Sequence, residues 1–125
     1  MNFLISLGSN LPEDKANEML SKAETYLSDY FDGQISFSSH YSTPGVGSGI
    51  GKTYVNSVAK GETTHSYEEI RKTLKDFEIA MGRTPELKVR GIVPIDLDLL
   101  TLGDIIYKGN DLTQEYVTRG LSELS

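Results

Sequence analysis

Apolar and polar positions change period repeatedly along the chain, and each change marks an element. Phe3 to Leu7 is short and mostly apolar, as a buried strand requires, and it runs into the turn-forming Gly8-Ser9-Asn10. The period then lengthens. Ala16, Met19, Leu20, Ala23, Leu27 and Tyr30 recur at three-and-four spacing behind Pro12, Glu13 and Asp14, a start that suits proline geometry and the amino-terminal helix dipole. Asp32-Gly33 stops this helix. Ile35, Phe37, Ser39 and Tyr41 alternate with Ser36, Ser38, His40 and Ser42, which predicts a strand with one face on the core. Thr43 to Thr53 is a glycine-rich loop, and Tyr54 to about Lys60 a third strand. A second helix opens at Ser66 with its capping-box partner Glu69, carries Ile70, Leu74, Phe77 and Met81 on its apolar stripe, and closes at Gly82. Arg83 to Gly91 reads as an irregular polar loop. Val93 to Leu100 is the last long strand, turning at Gly103-Asp104 into Ile105-Ile106-Tyr107 as a hairpin.

This order predicts an α+β, ferredoxin-like fold: a β-α-β-β-α-β antiparallel sheet with both helices on one face and an added hairpin. At 125 residues the expectation is a single domain over residues 1–125, without repeat or linker. Composition works by exclusion. With 12 Lys plus Arg against 18 Asp plus Glu, a formal net charge of -6 argues against a nucleic-acid partner. An anionic small molecule would need a local cluster of cations or a bound metal. The absence of cysteine excludes a disulfide scaffold, thiolate zinc ligation and a cysteine nucleophile. Met1-Asn2-Phe3-Leu4-Ile5 has no basic leader and no run approaches a membrane span, so a cytoplasmic protein without a membrane partner is expected.

The candidate chemistry sits in the last long strand. In Val93-Pro94-Ile95-Asp96-Leu97-Asp98-Leu99-Leu100 the alternation throws both carboxylates to one face, roughly 7 Å apart at their α-carbons, and the apolar side chains to the other. Two hard oxygen donors so placed suit Mg²⁺ with phosphates and water completing the shell. A half-buried strand carrying Asp twice by chance is the plain alternative. Asp is disfavoured in strands, however, and two on one face repel, so a cation is the simplest compensation.

Gly8-Ser9-Asn10, Tyr41-Ser42-Thr43-Pro44, Tyr54-Val55-Asn56, Glu78 through Gly82-Arg83, and Asp96-Leu97-Asp98-Leu99 follow one another in a recognisable order and spacing. With them the chain resembles the 6-hydroxymethyl-7,8-dihydropterin pyrophosphokinase family of folate synthesis, from near its start to about Gly103. The resemblance implies diphosphate transfer from ATP to the pterin hydroxymethyl group with AMP leaving, and two Mg²⁺ ions held by Asp96 and Asp98. It further implies Asn56 reading the pterin edge, Tyr54 stacking on the ring, and Thr43-Pro44 completing the pterin hydrogen bonds. Arg83 resembles a phosphate-contacting arginine, and Leu99, Thr113 and Arg119 hold ATP-binding positions. Glu78 is either a rim residue or a half-buried acid supporting the site. His40 and His65 have no ligand-like spacing and read as structural.

Gly51-Lys52-Thr53 imitates the end of a phosphate-binding P-loop, but the required earlier glycine is Val46 and a strand follows, so that motif fails. A mobile loop that covers the substrates is expected there instead. The chain also departs from the family pattern. Val93 stands where an arginine is usual, and Arg90 where a tryptophan is frequent. Glu115-Tyr116 replaces Pro-His, and Leu121 replaces the aromatic that sandwiches the pterin. The carboxy-terminal extension of many members is expected to be missing. A hydrophobe at Val93 cannot imitate a bidentate phosphate donor, which raises the question whether Arg90 or Lys88 supplies the charge. Reduced activity is the expectation. Two rival readings keep the same residues: a non-catalytic relative that binds nucleotide or pterin, and a ferredoxin-like interaction domain with an incidental Asp pair.

Overall fold

The computed structural model describes residues 1–45 and 52–124. In chain order the elements are β1 (Asn2–Ser9), α1 (Glu13–Tyr30), β2 (Ile35–Phe37), β3 (Tyr41–Pro44), β4 (Thr53–Glu62) and α2 (Tyr67–Ala80). A short α3 (Pro85–Val89), β5 (Asp96–Leu102), β6 (Ile105–Ile106), a 3-10 turn (Asp111–Thr113) and α4 (Glu115–Leu124) follow. The strands form one antiparallel sheet in the order β2-β4-β1-β5-β6, with β3 also paired to β4. Strands one and five flanking each other, with β4 on the far side of β1, is the split β-α-β arrangement expected from the element order.

β1 is central, so residues 3–9 are buried on both faces. That explains its unbroken apolar character, and it also moves the turn. Gly8 and Ser9 stay in the strand because they pair with Asn56 and Val55 of β4, and Gly8 also with Asp96 of β5. α1 buries Ala16, Leu20, Ala23 and Leu27, and α2, fixed at its start by the full Ser66–Glu69 capping box, buries Ile70, Leu74 and Phe77. Both pack on one face, against Ile5, Leu7, Leu97 and Leu99. Asp32 and Gly33 adopt positive φ after α1, as does Gly82 after α2, matching the predicted stops.

Other features also differ from the sequence reading: the last long strand spans Asp96–Leu102 rather than Val93 to Leu100. The alternation from Ile35 to Tyr41 is broken, because Phe37 pairs with Ala59 and Tyr41 with Asn56, leaving one extra residue on this side. Such a bulge turns Ser38 inward, where its hydroxyl accepts from the Val58 amide at 2.9 Å. The stretch after Arg83 contains α3, started by Thr84 accepting from Leu87 N–H and by Pro85 in the first turn. Finally, α4 covers the second face of the sheet, seating Val117 on Leu4, Val58 and Leu100. No described helix is long and apolar enough to cross a membrane. Of the loop expected over Thr43 to Thr53, Thr43 and Pro44 belong instead to β3 and Thr53 to β4, because both pair across the sheet, and residues 46–51 lie outside the described residues.

Candidate active site

Asp96 and Asp98 share a face with Leu100, two residues on, and Leu100 packs beneath α4. The pair therefore lies on the α4 side of the sheet, beyond the area that α4 covers. Asp96 faces Gly8 and Asp98 faces Ser6 across β1, small residues that leave room above the carboxylates. Burial, followed by the charge of Asp96 and a hydrogen bond with it, pushes the Asp98 carboxyl up to about 7, with Lys108 opposing the shift. Among the described residues no third His, Cys, Asp or Glu completes a metal cluster with them. Two oxygen donors with open space around them fit Mg²⁺, which keeps most of its shell for water and phosphate.

Arg83 leaves the end of α2 to meet this pair. Its Nη1 lies 2.8 Å from Asp96 Oδ1 and 2.9 Å from Glu78 Oε2, and the Ile95 carbonyl is 3.4 Å away. Burial disfavours the guanidinium charge, but Asp96, with Glu78 and Asp98 behind it, holds Arg83 above its ordinary range. Glu78 is the supporting acid rather than a rim residue: it is 5% exposed and accepts the Leu97 N–H at 2.8 Å. β6 pairs only with Thr101 and Leu102, so the Glu78 carboxylate occupies part of the outer edge that β5 leaves open. Burial raises its pKa while Leu97 N–H and Arg83 pull the other way.

The opposite wall comes from β3 and β4. Asn56 is buried, and its Nδ2 donates to Thr43 Oγ1 at 2.7 Å and to the Tyr54 carbonyl at 3.3 Å. These bonds orient the amide so that Oδ1 is the free acceptor. A Cβ on Gly8 would lie 3.2 Å from that oxygen, so glycine there keeps it clear. Tyr54, two residues earlier on the same face, is raised in pKa by burial and then by Asp96, while the Arg83 charge and then a hydrogen bond with Asn10 oppose. Asn10 also fastens the approach to the Asp strand: its amide donates to the Gly91 carbonyl and accepts from Val93 N–H, each at 2.7 Å. The Gly8-Ser9-Asn10 signal is thus partly a device for holding residues 91–93.

Two chambers meet at the acidic pair. One, of about 190 Å³, is lined by Thr43, Pro44, Tyr54, Asn56, Gly8, Ser6, Leu7, Val93 and Tyr116, all uncharged, together with Arg83, Asp96 and Asp98. The other, of about 380 Å³, shares those three residues and adds Arg71, Lys75 and Lys108 with Tyr67, Tyr107, Leu74, Glu78, Leu97 and Leu99. Tyr67 and Tyr107 stack there with centroids 4.2 Å apart.

Of the residues predicted from sequence, Asp96, Asp98, Arg83, Thr43, Pro44, Tyr54 and Asn56 converge on the first chamber, and Leu99 lines the second. Thr113, Arg119 and Leu121 line neither. Thr113 bonds the Asn110 carbonyl, Arg119 lies over the Tyr41 ring, and Leu121 follows Val117 by one helical turn and packs on the sheet. Lys88 and Arg90 are exposed on and after α3 and line neither chamber, whereas Arg71, Lys75 and Lys108, which sequence reasoning missed, line the second. These three sit on a helix face and beyond a hairpin, positions that signal an ordinary solvated surface. Tyr116 was also missed as a lining residue; its hydroxyl bonds Asp111, and burial, followed by that carboxylate, raises its pKa.

A family model described as 7,8-dihydro-6-hydroxymethylpterin-pyrophosphokinase matches residues 4–125. Among curated proteins, a neutral protease 2 homolog of Aspergillus flavus is 36% identical over 85 residues, 62% of this chain and 29% of that protein. Neutral protease 2 of Aspergillus oryzae is likewise 36% identical over 85 residues, 62% of this chain and 23% of its own length. The chain thus corresponds to under a third of either protease. Among solved structures, a dimeric ferredoxin-like protein from an uncultured marine organism aligns with 86% of this chain and 93% of its own at 12% identity and a TM-score of 0.33.

Proposed function

The chain belongs to the 7,8-dihydro-6-hydroxymethylpterin-pyrophosphokinase family, and on that premise we propose that it transfers diphosphate from ATP to 6-hydroxymethyl-7,8-dihydropterin in folate synthesis. The observation that carries this reading is the meeting, at Arg83, Asp96 and Asp98, of a chamber whose other walls are uncharged with one that adds the cations Arg71, Lys75 and Lys108. A neutral heterocycle suits the first and a polyphosphate the second. The reacting atoms would meet over the carboxylates, where the pterin hydroxyl oxygen bonds to the β-phosphorus and its proton is released to water, the bond from that phosphorus to the α-phosphate oxygen breaks, and AMP leaves.

Each chamber contributes through named groups. With its Nδ2 committed to Thr43 and Tyr54, Asn56 offers Oδ1 as an acceptor, which selects the amino and ring N–H edge of a pterin. Tyr54 and Pro44 supply apolar contact to the ring. Arg71, Lys75 and Lys108 draw in the triphosphate, and Tyr107 or Tyr67 offers an aromatic face to the base. Asp96 and Asp98 would hold Mg²⁺, which when bound neutralises phosphate charge and aligns the two substrates. Arg83 is poised to stabilise charge on the migrating group. Alignment and charge neutralisation supply most of the acceleration in such transfers.

Val93 supplies no guanidinium to the first chamber, so turnover is lower than in a member with arginine there. We place the enzyme in the cytoplasm. Thermal unfolding with Mg²⁺ and a non-hydrolysable ATP analogue tests the nucleotide half of this reading. Together they raise Tm, by about 2.7 kcal/mol of stabilisation at a hundredfold excess over Kd, and Asp98→Asn abolishes the Mg²⁺-dependent part. No Mg²⁺-dependent gain in the wild-type protein would overturn it in favour of an interaction domain.

A further inference from the structure

The Tyr41 hydroxyl sits between two groups of α4 that an α-helix pairs directly. It donates to the Tyr116 carbonyl at 2.6 Å and accepts from the Gly120 N–H at 3.2 Å, residues one i to i+4 step apart. So close an approach requires glycine. A Cβ on Gly120 would lie 2.3 Å from Val58 Cγ2 and 2.7 Å from the Tyr41 hydroxyl. Tyr41 itself is 7% exposed, and the Arg119 guanidinium covers its ring at 4.8 Å while donating to the Ser42 carbonyl at 3.1 Å. One turn further, Glu123 accepts from Ser39 N–H and Oγ at 2.9 and 2.7 Å. Polar contacts at three successive points thus tie α4 to residues 39–42.

That segment leads directly into the first chamber. Tyr41 is the cross-strand partner of Asn56, and Thr43, on the same face two residues on, holds the Asn56 amide. Tyr116, fastened through its carbonyl, forms the facing part of the same chamber. One buried hydroxyl therefore links the strand that orients Asn56 to the helix that presents Tyr116.

We propose that Tyr41 is a positioning residue: by docking the first turns of α4 it sets the width of the uncharged chamber between Asn56 and Tyr116, and so its affinity for a flat heterocycle. The role in affinity rests on the pyrophosphokinase reading; the docking does not. The second chamber contains neither Tyr116 nor any other residue of α4, so nucleotide affinity is independent of this contact.

The experiment compares the wild-type chain with Tyr41→Phe, with Glu123→Ala on the exposed side of the same attachment, and with Ile70→Val. The last trims the core on the opposite face and controls for stability. Hydrogen exchange of residues 115–124, without ligand, reads the docking. Separate titrations with 6-hydroxymethyl-7,8-dihydropterin and with a fluorescent ATP analogue plus Mg²⁺ read the two chambers. Tyr41→Phe is expected to speed exchange in 115–124 about tenfold and weaken pterin binding about tenfold, with nucleotide binding unchanged. Glu123→Ala, which leaves the core intact, shifts both in the same direction, and Ile70→Val shifts neither. Unchanged exchange in both Tyr41→Phe and Glu123→Ala overturns the proposal, as does a loss of pterin and nucleotide affinity in equal measure. Should the wild-type chain not bind the pterin, the functional reading falls and the exchange result alone decides the docking.

Discussion

Arg83 Nη1 lies 2.8 Å from Asp96 Oδ1, so one of the two carboxylates is already paired with a protein cation while Asp98 is left to burial and repulsion. The same nitrogen is 2.9 Å from buried Glu78, so Arg83 bridges the acidic strand and the end of α2, and under the proposed function its loss should show in both stability and turnover. Arg83→Ala leaves Glu78 charged and unpaired, which is expected to cost about 2 to 3 kcal/mol in urea unfolding. Diphosphate transfer should fall about a hundredfold or more. Arg83→Lys restores a charge but not the planar donor set, and recovers little of the rate.

Glu78 separates backbone support from charge. Gln at this position can still accept the Leu97 N–H but cannot balance Arg83 as an ion. Glu78→Gln is therefore expected to lose about 1 kcal/mol, and Glu78→Ala about 2 to 3 kcal/mol because the amide at the open edge of β5 loses its partner. Equal losses in chemical denaturation would show that the Leu97 contact contributes nothing.

Asp98 sets a pH dependence. Its folded pKa of about 7 exceeds the ordinary 3.8, so between those values the folded protein binds a proton that the unfolded chain has released. This contribution to stability is full below about 3.8 and is lost as pH rises to about 7. If Asp98 holds Mg²⁺ as proposed, binding would release that proton and so weaken as pH falls below 7. The Mg²⁺-nucleotide gain in Tm should thus grow from pH 5.5 to about 7.5 and then level off, and Asp98→Asn should flatten it.

Gly8 offers a test of the Asn56 acceptor. A methyl group at residue 8 would press on Asn56 Oδ1 from 3.2 Å. Gly8→Ala is expected to weaken pterin binding about tenfold, while changing stability by less than about 1 kcal/mol, measured by titration and urea unfolding.

The elements that carry their own signals were legible in the sequence. The Ser66–Glu69 box and the spacing of Ile70, Leu74 and Phe77 foretold α2, and alternation placed Asp96 and Asp98 on one face. Long-range pairing was not legible. The bulge between Phe37 and Tyr41 depends on register against β4, and no local pattern reports it. α4 left a weak trace in Val117, Leu121 and Leu124, diluted by β-branched Thr118 and by Gly120, whose necessity comes from Tyr41 and Val58 across the interface. Thr84-Pro85 was a readable start for α3 that its exposed residues obscured. In the site, Asn56 and Tyr54 stood out only through resemblance, and the Arg83–Glu78 pair forms across a helix end that sequence spacing leaves ambiguous. Arg71, Lys75 and Lys108 became a group only when α2 and the segment after β6 met at the edge of β5.

AMP formation tests transfer chemistry at the acidic pair. The protein is incubated with ATP, Mg²⁺ and 6-hydroxymethyl-7,8-dihydropterin, with Asp96→Asn in parallel. AMP is expected in equal amount to the pterin consumed, dependent on both Mg²⁺ and pterin and lost in the variant. AMP no higher than that of Asp96→Asn would contradict it and leave a binding protein built on the same fold.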